Sequence, residues 1–177
     1  MVATAEKLTL AEFRAKYGET DIKPYFELID GEAVQKTMPT ELHSILQGAL
    51  FAILRGLGFK PRTEQTLAIA ADWEPVPDVV AFAQSPAKRE PYPTTPVSVA
   101  IEILSPGDYF TTVVRKCERY VEWGVPDVLL FDPASRRTWC FDTVTGGMIP
   151  VQGTYTFKSK LVDLILANVW QEVDELL

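Results

Sequence analysis

The segment Asp127-Val-Leu-Leu-Phe-Asp132 constrains the chain most, because four large apolar residues stand in succession between two aspartates. Such a run reads as a central strand covered on both faces. The remaining sequence must then supply apolar helix faces to cover a sheet, and two segments have the spacing to do so. Pro39 and Thr40 open a stretch in which Leu42, Ile45, Leu46, Ala49, Leu50, Ile53, Leu54 and Leu57 recur at i, i+3 and i+4, and Gly56 and Gly58 close it. A second amphipathic helix, from about Thr112 to Trp123, gathers Val113, Cys117, Tyr120 and Val121 on one face.

Shorter signals fill in the order of elements. Thr9-Leu-Ala-Glu12 has capping-box spacing and predicts a short helix that ends at Gly18. Tyr25 to Ile29 and Glu32 to Lys36 are extended runs joined by Asp30-Gly31, the dipeptide of a tight hairpin turn. Three strands are expected at Thr63 to Ile69, Asp78 to Ala83 and Val97 to Leu104. The proline-rich Gln84 to Pro96 stretch is a surface loop. Arg137 to Asp142 and Met148 to Gln152 flank Gly146-Gly147 as a second hairpin, and Leu164 to Leu177 reads as helical. The expectation is one α/β domain over residues 1–177, with a mixed sheet and a helix, strand, strand, strand, helix, strand core at about 40–132. A helix and hairpin (9–36) precede this core, and a hairpin and helix (136–177) follow it.

Composition excludes several chemistries. With 177 residues, 47% of them hydrophobic, the chain can bury a core unaided. Cys117 and Cys140 are far apart in apolar surroundings and read as buried thiols, without the density of a disulfide scaffold or a CxxC pair for zinc. His43 is the sole histidine, so carboxylates must carry any metal chemistry. No apolar run approaches the roughly 20 residues that span a bilayer, and the N-terminus lacks a signal-peptide pattern; a cytoplasmic location is expected. The formal net charge of -7 argues against nonspecific coating of nucleic acid, although a local basic face or a bound cation would escape that tally.

Among the charged residues, Glu102 stands out. It lies inside Val97-Ser-Val-Ala-Ile-Glu-Ile-Leu104, and an unpaired carboxylate in a dry interior costs several kcal/mol or shifts its pKa upward. Two partners would compensate it: a lysine or arginine, or a hard cation shared with another carboxylate. Asp78 follows Pro77 at the mouth of an apolar strand and is either a solvated turn residue or that second carboxylate. Lys116 projects near the border of its helix's apolar face, beside Thr112, Tyr120 and Trp123. It either lays its stem over the core with its amine in water or returns an ammonium to the carboxylates.

Together these stretches resemble the Uma-type family of proposed restriction endonucleases, a group within the PD-(D/E)xK nuclease superfamily. The matching pieces are Tyr25-Phe-Glu-Leu-Ile-Asp-Gly-Glu32, the helix carrying His43, Pro77-Asp78-Val-Val, Ile101-Glu-Ile-Leu-Ser-Pro106, Lys116 with Tyr120, and Gly124-Val-Pro-Asp-Val-Leu-Leu-Phe-Asp-Pro133. The resemblance implies a restriction-endonuclease-like fold in which Asp78 and Glu102 hold Mg²⁺ (or Mn²⁺) and a lysine orients or activates the attacking water. The partner implied is nucleic acid, taken as DNA, with a homodimer as the assembly. In the plain superfamily motif the lysine stands two residues after the acid, which here is Leu104, so the role passes to Lys116. Thr112 stands where relatives often carry Asp. Glu27 and Glu64 are second-tier ligands. His43 either positions water or substrate or is a hydrogen-bonded structural residue.

Two readings compete: a nuclease fold kept as a binding module without turnover, and an interaction domain using Trp73, Trp123, Trp139 and Trp170. If DNA is the substrate, some of Lys60, Arg62, Lys88, Arg89, Arg115 and Arg119 are expected to form a basic face beside the acids.

Overall fold

The computed structural model describes residues 7–18, 25–86 and 90–177. Helix α1 (Leu10–Tyr17) has the expected capping box: Thr9 Oγ1 accepts from the Glu12 N–H, and the Glu12 carboxylate accepts from the Thr9 N–H at 2.8 Å. Strands β1 (Phe26–Ile29) and β2 (Glu32–Gln35) pair antiparallel around Asp30 and Gly31, whose φ angles of 52° and 80° supply the left-handed turn. This hairpin is a sheet of its own, joined to the body by a Leu28–Glu74 bridge and by the Gly31 N–H donating to the Asp72 carbonyl at 2.9 Å.

Among the described residues the main sheet has six strands in spatial sequence order: β3 (Lys60–Thr63), β4 (Val79–Phe82), β5 (Val99–Ile103), β6 (Asp127–Asp132), β7 (Arg137–Asp142) and β8 (Gly147–Pro150). All neighbours are antiparallel except β5 and β6, which run parallel and are joined through helix α3 (Phe110–Trp123). Helix α2 (Glu41–Gly56), capped by Thr40, buries Leu46, Ala49, Leu50 and Leu54 against Val79, Ala81, Val99, Ile101, Leu129 and Phe131. Each such leucine contributes about 1.5–3 kcal/mol of hydrophobic stabilisation. Because side chains alternate along a strand, Val80, Ala100, Val128 and Leu130 face the other way and meet Val113, Cys117 and Tyr120 of α3. The sheet is covered on both faces, as the apolar β6 run requires. No helix among the described residues is long and apolar enough to cross a membrane.

The chain beyond β8 forms a small β9 (Thr154–Thr156) and β10 (Asp163–Ile165) pair and helix α4 (Leu166–Leu176), which packs on the α2 side. Asp127 anchors this region from within. Its fully buried carboxylate accepts from Tyr155 OH at 2.9 Å, the Lys158 N–H at 2.8 Å, and the N–H and Oγ of Ser159 at 3.0 and 2.6 Å.

The α2, β3, β4, β5, α3, β6 order matches the expected core, with two corrections. The strand expected at Thr63 to Ile69 lies earlier, because Glu64 turns left-handed (φ 49°) and ends the ladder. The apolar stretch after it is a loop, held by the Leu67 N–H on the Pro75 carbonyl and the Ala68 N–H on the Pro93 carbonyl. The expected C-terminal hairpin follows the core as β7 and β8, which extend the same sheet. Finally, Cys117 is buried as expected, whereas Cys140 is only half-buried.

Candidate active site

Strand register brings the acids together. In the antiparallel β4–β5 ladder Val79 pairs with Ile101, so the next pair in the same register is Asp78 with Glu102. Cross-strand neighbours on one face sit about 5 Å apart at Cβ. On the other side of β4, Thr63 pairs with Val79, and the Glu64 N–H donates to the Asp78 carbonyl at 3.2 Å. Glu64, Asp78 and Glu102 thus form a row across three strand ends, and all three line a cavity of about 400 Å³. Pro77 lies just before this row, and Gln47 of α2 donates to the Asp78 carbonyl at 2.8 Å, fixing the strand mouth.

Helix α3 delivers the lysine. Lys116 is buried, with Nζ 3.0 Å from Glu102 Oε1 and donating to Glu27 Oε1 and Oε2 at 2.8 and 3.1 Å. Of the two expectations for Lys116, the return to the carboxylates is the one observed. One turn on, Tyr120 OH donates to Glu102 Oε1 at 2.5 Å. Glu102 Oε2 takes no hydrogen bond among the described residues.

The N-terminal hairpin contributes more than the sequence indicated. Glu27 sits in the first row of contacts, with Oε1 also accepting from the Val76 N–H at 2.6 Å. Lys36, just past β2, donates to Asp78 Oδ1 and to the Val76 carbonyl, each at 2.7 Å. Lys36 was not anticipated: it lies just past the largely exposed β2, and nothing local distinguishes it from a solvated lysine. Asp78 Oδ2 accepts from the Ile103 N–H at 2.7 Å, tying β4 to β5 beside Glu102. His43, 6% exposed, lies between Ser105 and Asp78, its Nδ1 3.0 Å from Ser105 Oγ and its Nε2 3.5 Å from Asp78 Oδ1.

Three carboxylates therefore share two ammonium groups, and the sharing is unequal. Desolvation pushes Glu102 up to about 7, because its cation, Lys116, is divided between Glu102 and Glu27. Desolvation acts on Asp78 too, but Lys36 with His43 outweighs it and holds that carboxyl well below its usual range. Lys116 is desolvated as well, yet Glu102 and Glu27 overcome this and raise it, so the ammonium stays charged. Burial and the Glu102 charge push Tyr120 upward, keeping it a donor.

None of the described residues nominated for a basic face lines the cavity itself. Among the described residues only Lys36 and Lys116 bring lysine or arginine to the cavity lining, while Glu64 and Asp108 add negative charge. Arg62 lies over the Phe82 ring, Arg115 pairs with Asp30 at 2.6 Å, and Arg119 pairs with Glu122 at 3.0 Å and lies over Trp73. Lys88 and Arg89 lie outside the described residues.

The donor set suits a hard cation. No group of three or more His, Cys, Asp or Glu among the described residues is arranged as a ready cage. Mg²⁺ commonly takes only one or two carboxylates and completes its shell with water and substrate phosphate. Asp78 and Glu102, both lining the cavity, are the residues that could serve as such a pair.

Comparison with known proteins adds context. A family model, Uma2, described as "Putative restriction endonuclease", matches residues 10–173. Among solved structures, one described as a "putative nuclease belonging to DUF820" from Anabaena variabilis is similar in fold, with a TM-score of 0.78 at 21% identity. The match covers 94% of this chain and 99% of that one. No curated protein matches.

Proposed function

The chain belongs to the Uma2 family, and from that premise and the geometry of its site we propose that it is a metal-dependent endonuclease hydrolysing phosphodiester bonds of DNA. The observation that carries this reading is the meeting of Asp78, Glu102 and Lys116, drawn from two strands and a helix, on one cavity wall. Asp78 and Glu102 would hold Mg²⁺ or Mn²⁺. When bound there, the ion supplies an acidified water and a positive charge for phosphate and leaving oxygens. Lys116 holds a charged ammonium where negative charge develops on the phosphorane-like centre. Tyr120 helps fix the rotamer of Glu102 through Oε1. Glu27 and Lys36 position Lys116 and Asp78 from the hairpin side. Ser105 orients the His43 ring against Asp78, which makes His43 a positioning residue in this reading.

The binding module without turnover is favoured by one observation: Lys36 already neutralises Asp78. Mn²⁺ titration followed by melting, together with incubation on assorted DNA substrates, separates the two. The nuclease reading expects Mn²⁺ to raise the melting temperature of the wild type but not of Asp78→Ala, and only the wild type to cut DNA. Metal-independent melting and intact DNA would leave the binding module. The assembly proposed is a homodimer, and sedimentation of the purified chain as a monomer would remove it.

A further inference from the structure

The cavity is polar at its floor and apolar at its mouth. One lip is the Val34–Pro39 stretch, where Met38 is 68% and Val34 42% exposed. The other is the turn into α3, where Tyr109 is 79% exposed. The lips touch through Thr37 Oγ1, which donates to Asp108 Oδ1 at 3.1 Å, and Asp108 Oδ2 accepts from the Ser105 N–H at 2.7 Å. Tyr109 therefore stands on a braced turn. Its ring has no aromatic or cationic partner among the described residues, whereas the next residue, Phe110, packs edge-on to Trp139 at 5.3 Å. A large ring held at a cavity mouth with one face open is a surface that something planar would complete.

Charge narrows what that is. Duplex nucleic acid is held mainly by lysine and arginine on its phosphates, and the cavity lining adds Glu64 and Asp108 with no unpaired cation among its described residues. Unpaired strands draw on basic grooves as well, but they add base stacking on aromatic side chains, and Tyr109 offers that surface where nothing in the lining serves a duplex. A cavity of about 400 Å³ also has room for a nucleotide or so, not for the width of a helix.

We infer that the site takes an unpaired nucleic-acid strand, with Tyr109 stacking a base at the mouth while the adjoining phosphate reaches the Asp78, Glu102 and Lys116 floor. The inference rests on the nuclease reading and names its substrate class: single strands, flaps or frayed ends rather than continuous duplex. Met38 and Val34 form the apolar wall opposite the stacked base.

The test is binding, read apart from cleavage. Fluorescence anisotropy of a labelled oligonucleotide, single-stranded and as its duplex, DNA and RNA in separate arms, is measured with wild type, Tyr109→Ala and Tyr109→Trp. Ca²⁺ is present throughout. The expected result is tighter binding of the single strand than of the duplex. Tyr109→Ala should lose at least about fivefold in affinity for the single strand, the low end for one stacked base, and Tyr109→Trp should restore it. Melting of the apo protein is expected to stay unchanged, since the side chain is exposed. Duplex bound as tightly as single strand, or Tyr109→Ala binding as wild type, overturns the inference while the nuclease reading stands. Binding of neither strand overturns both.

Discussion

Replacing Glu102 by Gln isolates the consequence of burying a third carboxylate beside two lysines. Glutamine keeps the size of the side chain and an acceptor for Tyr120 and Lys116, but it does not titrate. Glu102 rises from its ordinary 4.5 to about 7 in the folded protein. Between those values the native state holds a proton that the unfolded state has released, so wild-type stability falls as pH rises through this window. The gap, at about 1.4 kcal/mol per pH unit, comes to roughly 3 kcal/mol. Asp78 is shifted the other way; its contribution is present above its ordinary 3.8 and is lost only below that, outside the window. Urea unfolding of both proteins from about pH 4 to about pH 8 gives the difference directly. The stability of Glu102→Gln relative to wild type should climb by up to about 3 kcal/mol toward pH 7 and then level off. A difference that stays flat or declines with pH would mean that Lys116 keeps Glu102 ionised throughout, and the reasoning about shared cations would fail.

Removing Lys36 leaves Asp78 buried without its main partner; Lys36→Met should cost on the order of 2–4 kcal/mol in urea unfolding, less than a fully enclosed pair because Lys36 reaches the surface. Added Mn²⁺ should return part of that loss. Tyr120→Phe removes a hydroxyl from a charged acceptor and should destabilise by about 1.5–3 kcal/mol, read by thermal or urea melting. Asp127→Ala strips four donors of their acceptor and should cost at least about 3 kcal/mol, while leaving Mn²⁺ binding per folded molecule unchanged.

Much of this arrangement was legible because its signals are local. The Thr9 capping box, the Asp30-Gly31 turn, the leucine face of α2 and the all-apolar β6 each encode their own geometry within a few residues. Glu102 was legible for a different reason: a carboxylate in an apolar strand demands a partner, and Lys116 is that partner. What was missed depends on contacts distant in the chain. The charged Lys60–Thr63 strand pairs only because β4 lies alongside, while the apolar Leu67 and Ile69, which read as strand, pack from a loop. Glu27 is an inner residue of the β1–β2 hairpin and Lys36 follows its last strand. Their importance comes from how that hairpin docks on Val76, a contact between residues some 40–49 apart in sequence. Arg119, named as a candidate for a basic face, lies over Trp73 with a buried Nε.

The central claim is that Asp78, Glu102 and Lys116 act together on a phosphodiester, and the most direct measurement is the rate of Mn²⁺-dependent DNA cleavage per folded molecule. Wild type is compared with Glu102→Ala, each corrected for its folded fraction by melting under the same conditions. Loss of one cation ligand removes several kcal/mol of transition-state stabilisation, so the variant should be slower by about a thousandfold or more while remaining folded. A Glu102→Ala protein that unfolds readily yet cuts at the wild-type rate per folded molecule would show the carboxylate to be structural and contradict the account.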